Sequence, residues 1–169
     1  MRFRYCPECG QELGSRVLGD EGAVPWCDRC DRPWFDMFST AIIALVHNRR
    51  NEVLLLRQLY IHPTYRNLVS GYMTPGETAE ECAIREIMEE TGQRVTRLEP
   101  AGTWWFAKKE MLMIGFLAEV EGDTPLRLSC EVDGAEWVSA DRAVTMVHPA
   151  GSTSHALAAM FLDCVAKNA

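Results

Sequence analysis

The stretch Gly71–Gly92, GYMTPGETAEECAIREIMEETG, decides how the rest of this 169-residue chain is read. Its opening, Ser70 to Gly76, is a loop by its glycine and proline content. From Ala79 to Thr91 the sequence is rich in helix formers and has neither Pro nor Gly, which predicts a helix. Gly92 ends it where a left-handed residue is expected. Glu86, Glu89 and Glu90 stand at i, i+3 and i+4, so their carboxylates share one helix face. Ala83, Ile84, Ile87 and Met88 form the apolar stripe expected to dock on the domain. Like charges at this spacing destabilise an isolated helix. A hard divalent cation reverses that balance, because Mg²⁺ and Mn²⁺ take oxygen ligands. A solvated acidic face is the commoner fate of such residues, and the neighbouring positions narrow the choice.

Gly71, Glu77, the Arg85-Glu86-Ile87 triplet, the Glu89-Glu90 pair and Gly92 fall on the fixed positions of a box. In this the chain resembles the Nudix family. One position departs: the family usually has an apolar residue after the last glycine, and here it is Gln93. The resemblance implies an α+β fold, the Nudix α/β/α sandwich with a mixed β-sheet. It also implies a divalent-metal hydrolase of nucleoside diphosphates linked to another group, with Glu86, Glu89 and Glu90 as catalytic metal ligands. Arg85 is similar to the box arginine that orients those glutamates and pairs with the early glutamate, here Glu77.

Composition sets outer bounds. A chain of this length suits one domain with a small appendage, and an apolar fraction of 47% suffices for a core. The formal charge of −7 argues against sequence-blind nucleic-acid binding, which needs a basic face. The longest apolar run, Ala41 to Val46, is far short of the ~20 residues that span a bilayer. The N-terminus, MRFRYCPECG, lacks the apolar centre of a signal peptide. A cytoplasmic location is the expectation, with no membrane partner.

Four of the seven cysteines form two C-x-x-C pairs, Cys6/Cys9 and Cys27/Cys30. Two such pairs at this separation present four thiolates to one tetrahedral Zn²⁺. Two disulfides are the competing reading, but nothing in the sequence indicates secretion. A site filled by four protein sulfurs has no position open for chemistry, so it is structural. The segment resembles a zinc ribbon, and residues 1–36 are too few to hold together without the metal. The expected division is a ribbon over 1–36 and a Nudix domain over 37–169. Ribbons also contact nucleic acid or proteins, so a recognition role stays open. Cys82, Cys130 and Cys164 are expected in the core or on helix faces.

Phe38 to His47 and Glu52 to Leu59 read as strands joined by a turn at Asn48–Asn51. Tyr60 to Leu68 is a loop whose His62, Tyr65 and Arg66 are candidates for a substrate mouth. Val95 to Leu98 is a short strand before Pro100, and Met111 to Val120 a central one. In the triplet Trp104-Trp105-Phe106, alternation sends Trp104 and Phe106 to one side and Trp105 to the other. These rings either fill the core or stack on a flat base. Ala135 to Val138 is a short strand, and Asp141 to Met146 starts a helical turn. Ser152 to Ala166 is a final helix capped by Ser and Thr, with His155 on its surface.

Beyond the box, the order of ribbon, box, aromatic element and Leu112-Met113-Ile114-Gly115-Phe116 is similar to the NADH pyrophosphatase branch of the family. That branch carries a Ser-Gln-Pro-Trp-Pro-Phe-Pro element, of which Gly102–Lys108 keeps Trp105 but neither Gln nor prolines. The branch also has a domain before its ribbon. Glu131 resembles an acidic residue that adds a metal ligand in the branch, and Ser152–Leu157 resembles its closing segment. The resemblance implies cleavage of NAD(H)-like dinucleotides to mononucleotides with Mg²⁺ or Mn²⁺, a homodimer, and Tyr65, Trp104, Trp105 and Phe106 as substrate contacts. Glu86 and Glu131 are both candidates for the general base. The alternatives are an ADP-ribose or nucleoside-diphosphate-sugar pyrophosphatase, and a non-catalytic ligand sensor whose ribbon binds nucleic acid or protein. A capped RNA substrate joins the two classes.

Overall fold

A computed structural model describes residues 2–168. The chain divides into two units, Met1–Ser39 and Thr40–Ala169. The first is a three-stranded antiparallel sheet of β1 (Gly14–Val17), β2 (Ala23–Cys27) and β3 (Arg32–Pro33), in that order. Its buried apolar residues are Cys6, Val24, Trp26 and Cys27. The Arg16 guanidinium lies 4.0 Å over the Trp26 ring and that of Arg32 4.7 Å over Trp34. So small a core needs a further staple.

The second unit carries β4 (Ser39–Asn48, which starts at the last residue of the first unit), β5 (Glu52–Arg57) and β6 (Val69–Tyr72), then α1 (Ala79–Thr91). It continues with β7 (Val95–Phe106), β8 (Met111–Val120), β9 (Gly134–Ser139), α2 (Ala140–Met146) and α3 (Thr153–Asn168). The sheet order is β7-β8-β4-β5-β9, with β6 paired to β4. The β4–β5 turn falls where the sequence places it. Asn48 accepts from the N–H groups of Arg50 (2.9 Å) and Glu52 (3.1 Å), and Asn51 takes the left-handed conformation at φ 59°.

Alternation along β4 builds the layers. Ile42, Ala44 and Val46 point to the face covered by Cys82, Ala83 and Ile87 of α1. Ile43 and Leu45 point to the face covered by Ala143 of α2, by Val147 just after it, and by Leu157, Ala158 and Phe161 of α3. A strand buried on both faces reads as an unbroken apolar run, as β4 does. The result is the expected sandwich. No described helix is long and apolar enough to cross a membrane.

Three local expectations change. The docked stripe of α1 is Cys82, Ala83 and Ile87 continued by Glu90, whereas Ile84 and Met88 are 46% and 42% exposed. The helix is rotated so that its carboxylate edge turns partly inward. The strand after α1 does not stop before Pro100 but runs to Phe106, with register shifts at Val95/Arg97 and Pro100/Gly102. An edge strand tolerates a proline, and the irregularities absorb it. Cys130 is exposed in a loop, while Cys82 is buried and Cys164 lies exposed on α3.

Candidate active site

The helix is fixed at both ends before it presents anything. Thr78 accepts from the Glu81 N–H at 3.2 Å, and the Glu81 carboxylate accepts from the Thr78 N–H at 2.8 Å, closing a capping box. Gly92, at φ 69°, donates its N–H to the Met88 carbonyl. At the neighbouring end of β6, Gly71 lies against Glu86. A Cβ there would sit 2.0 Å from the Glu86 Cδ. Gly71→Ala is therefore expected to displace the Glu86 carboxylate and lower divalent-ion affinity about tenfold or more, read by calorimetric Mn²⁺ titration.

Arg85 ties the carboxylates together. Its Nε and Nη2 donate to Glu77 at 3.0 and 2.8 Å, and its Nη1 donates to Glu86 at 2.7 Å and Glu89 at 3.1 Å. These partners hold the guanidinium firmly cationic. Arg85 and the Thr74 N–H in turn hold the Glu77 carboxyl down at about 2. With its guanidinium engaged in this way, Arg85 acts as a frame for the glutamates.

Glu90 is the unusual member. It is 5% exposed, and Gln58 (2%) donates to its Oε1 at 3.2 Å. Among the described residues its Oε2 and the Gln58 Oε1 are buried without a donor. Burial and then the Glu86 charge, with a contribution from Glu131, push the Glu90 carboxyl up to about 8. A buried acceptor without a donor beside further carboxylates is costly, and a divalent cation bound there offsets that cost. The donor set fits Mg²⁺ or Mn²⁺.

Glu86, Glu89, Glu90 and Glu131 line one cleft of about 650 Å³, together with the Ser70–Gly71 backbone. That volume suits a nucleotide-sized ligand. Tyr65, Trp104, Trp105 and Phe106 are not among its lining residues. Tyr65 stacks near His62 (4.7 Å) and His148 (5.1 Å). Trp104 packs over Gly115, toward the face covered by α3. The rings that do line the cleft are Tyr60 and Tyr72, with Lys109 as the cation besides Arg85 among the described lining residues. Burial and the charges of Glu131, Glu90 and Asp133 raise the Tyr60 hydroxyl. Tyr72 could have been found by its place beside Gly71. Tyr60, in an irregular loop, carried no signal.

In the first unit the sulfurs of Cys6, Cys9, Cys27 and Cys30 lie within 4.8 Å of one another. The Cys6–Cys30 and Cys9–Cys27 separations are 3.9 and 3.5 Å. Tetrahedral Zn²⁺ with Zn–S bonds near 2.3 Å sets sulfurs roughly 3.8 Å apart. Gly10, at φ 74°, and Asp31, at φ 50°, occupy matching places after the two pairs. Burial raises the Cys6 thiol, but N–H donors at Cys9 and Glu8 outweigh it and bring it to about 6. The Cys9 sulfur and burial push Cys30 up to about 12. The sulfurs resist ionising together, and a divalent ion removes that conflict.

Residues 37–158 match the family described as NUDIX domain. The NAD-capped RNA hydrolase NudC of Pseudomonas fluorescens is 31% identical over 136 residues, 80% of this chain and 48% of its own length. The protein of the same name from Vibrio cholerae is 30% identical over 170 residues, 98% of this chain and 60% of its own. The chain thus spans about half the length of the curated relatives it matches. A solved NUDIX hydrolase from Nitrosomonas europaea is similar with TM-score 0.69 at 19% identity, covering 95% of this chain and 92% of that one. A C. elegans Ap4A hydrolase gives 0.62 at 22% identity, covering 75% and 98%. These two likenesses concern the fold alone. With its box on a capped helix against a sheet buried on both faces, and with the family match over most of its length, the chain belongs to the Nudix family.

Proposed function

We propose that this chain hydrolyses the diphosphate bridge of NAD(H)-like dinucleotides to mononucleotides, with Mg²⁺ or Mn²⁺ held by Glu86, Glu89, Glu90 and Glu131. The observation that carries this reading is the buried Glu90, with one oxygen lacking a donor among the described residues, facing a cleft that three further carboxylates line. A bound divalent ion supplies neutralisation of phosphate charge and acidification of water. Arg85 keeps Glu86 and Glu89 oriented toward the cleft. Lys109 offers a cation to the phosphates, and Tyr60 and Tyr72 offer flat surfaces to a base. A glutamate not fully committed to the ion accepts the proton from the attacking water, a role open to Glu86 and Glu131. The names of the curated relatives bear on the substrate. The bond to be cut is the same diphosphate whether the dinucleotide is free or caps an RNA.

Zn²⁺ on Cys6, Cys9, Cys27 and Cys30 is structural in this reading. The cytoplasm, which keeps thiols reduced, is the compartment that suits it. The expected assembly is a homodimer.

The test is a panel of NADH, ADP-ribose, a nucleoside diphosphate sugar and a short NAD-capped RNA, each with Mn²⁺ or Mg²⁺ and with chelator. AMP release from NADH that stops on chelation supports the proposal. Rapid cleavage of ADP-ribose with none of NADH or capped RNA would overturn the substrate. Tight dinucleotide binding without turnover of any member would make the protein a sensor.

A further inference from the structure

Between β8 and β9, residues 121–133 form no helix or strand, and this segment carries Glu131 to the cleft. It is hung on the C-terminal end of α1. Arg127 donates its N–H to the Thr91 carbonyl at 2.9 Å and Ser129 to the Glu90 carbonyl at 3.4 Å. A helix end leaves such carbonyls without partners, so the docking satisfies both sides. Downstream, Val132 is buried, and Asp133 accepts from the Leu59 N–H at 2.7 Å. Upstream, the Arg49–Glu121 and Arg50–Asp123 ion pairs are exposed and long, at 3.7 and 3.9 Å. The buried polar anchor there is Gln93. It is 1% exposed, and its amide donates to the Thr124 carbonyl at 3.0 Å. Its own N–H is taken by the Thr91 hydroxyl at 3.2 Å, so the residue is fixed on the helix end it follows.

A buried amide parted from its acceptor is costly, so Gln93 and Thr124 remain together and the segment remains docked. We propose that Gln93 is a positioning residue for Glu131: it pins the start of the 121–133 segment to the end of α1 and so fixes the fourth carboxylate of the cleft. The proposal rests on the reading of Glu131 as a cation ligand. Gln93 touches neither the ion nor the substrate and acts through the loop.

The experiment measures Mn²⁺ affinity of the full chain by counting free Mn²⁺ with electron paramagnetic resonance. It compares wild type, E131Q, Q93L and the double variant, with Q93M as a second substitution that keeps the side chain's length. Q93L and E131Q are each expected to weaken binding about tenfold, the lower end of what loss of a supporting residue costs. The double variant is expected to bind no more weakly than E131Q, because the two act through one group. A merely structural role would lower Tm and leave Mn²⁺ affinity at the wild-type value. That result overturns the proposal, and so does a Q93L loss that is equally large in the E131Q background. If E131Q itself binds like wild type, the ligand reading of Glu131 falls, and the role of Gln93 falls with it. Hydrolysis measured on the same samples shows separately whether the enzymatic reading stands.

Discussion

Glu90→Gln is expected to cut kcat by a factor on the order of 10³ while making the metal-stripped chain more stable at alkaline pH. Glu90 contributes two things, a ligand oxygen and a buried charge. The loss of turnover follows from the first, since its Oε2 has no other use among the described residues. The gain in stability follows from the second. Burial and the charges of Glu86 and Glu131 raise this carboxyl from 4.5 to about 8. The unfolded chain releases the proton near the ordinary value, and the folded chain keeps it to the higher one. Across that window the folded state binds more protons, so stability falls as pH rises from 4.5 to about 8 and stays lowered above it. A neutral amide of the same shape removes the penalty, which amounts to at most about 4–5 kcal/mol. The new amide also gives the buried Gln58 Oε1 a donor within its own neighbourhood. Urea denaturation with chelator at pH 5 and pH 9 checks this. The variant should match wild type at pH 5 and exceed it at pH 9. Lower stability at pH 9 would mean that the carboxylate is not held against its own charge.

Cys27→Ser is expected to unfold the first unit and leave the second folded. Cys27 is fully buried, and the Cys30 N–H donates to its sulfur at 3.4 Å. Serine offers a hard oxygen where a soft thiolate is needed, and the tetrahedral set falls to three. The apolar core around Val24 and Trp26 is too small to compensate, since structural zinc contributes about 10–16 kcal/mol to folds of this kind. Elemental analysis should fall from one zinc per chain to none. Protease should then cut within residues 1–39 and spare the rest. Retained resistance in that segment without zinc would contradict the structural role.

The helix and its ends were legible because each signal is local. Gly92 specifies the C-terminal end by its own chemistry, and the observed Ala79–Thr91 matches the expected span, with Thr78 and Glu81 closing a cap the sequence reading did not name. The central strand β4 was legible because burial on both faces leaves no polar position to interrupt it. The face of α1 was not. Both Ala83/Ile87 and Ile84/Met88 repeat every four residues, and only the sheet chooses between them. The same applies to Trp104. Alternation says that its neighbours point the other way, but not which face of β7 belongs to the cleft and which to α3. The extension of β7 past Pro100 depends on its place at the sheet edge, a property of topology. Gln93 stood out in the sequence only as a polar residue where an apolar one is usual. Its partner at Thr124 lies across the fold.

The central claim is that the acidic face of α1 seats a catalytic divalent cation. Crystals soaked in Mn²⁺ and measured at the manganese absorption edge test it most directly. The account predicts anomalous peaks at bonding distance from Glu86, Glu89 and Glu90, with Glu131 turned toward the same ion. A clean map with no peak beside those side chains, at Mn²⁺ concentrations that support turnover, would contradict it.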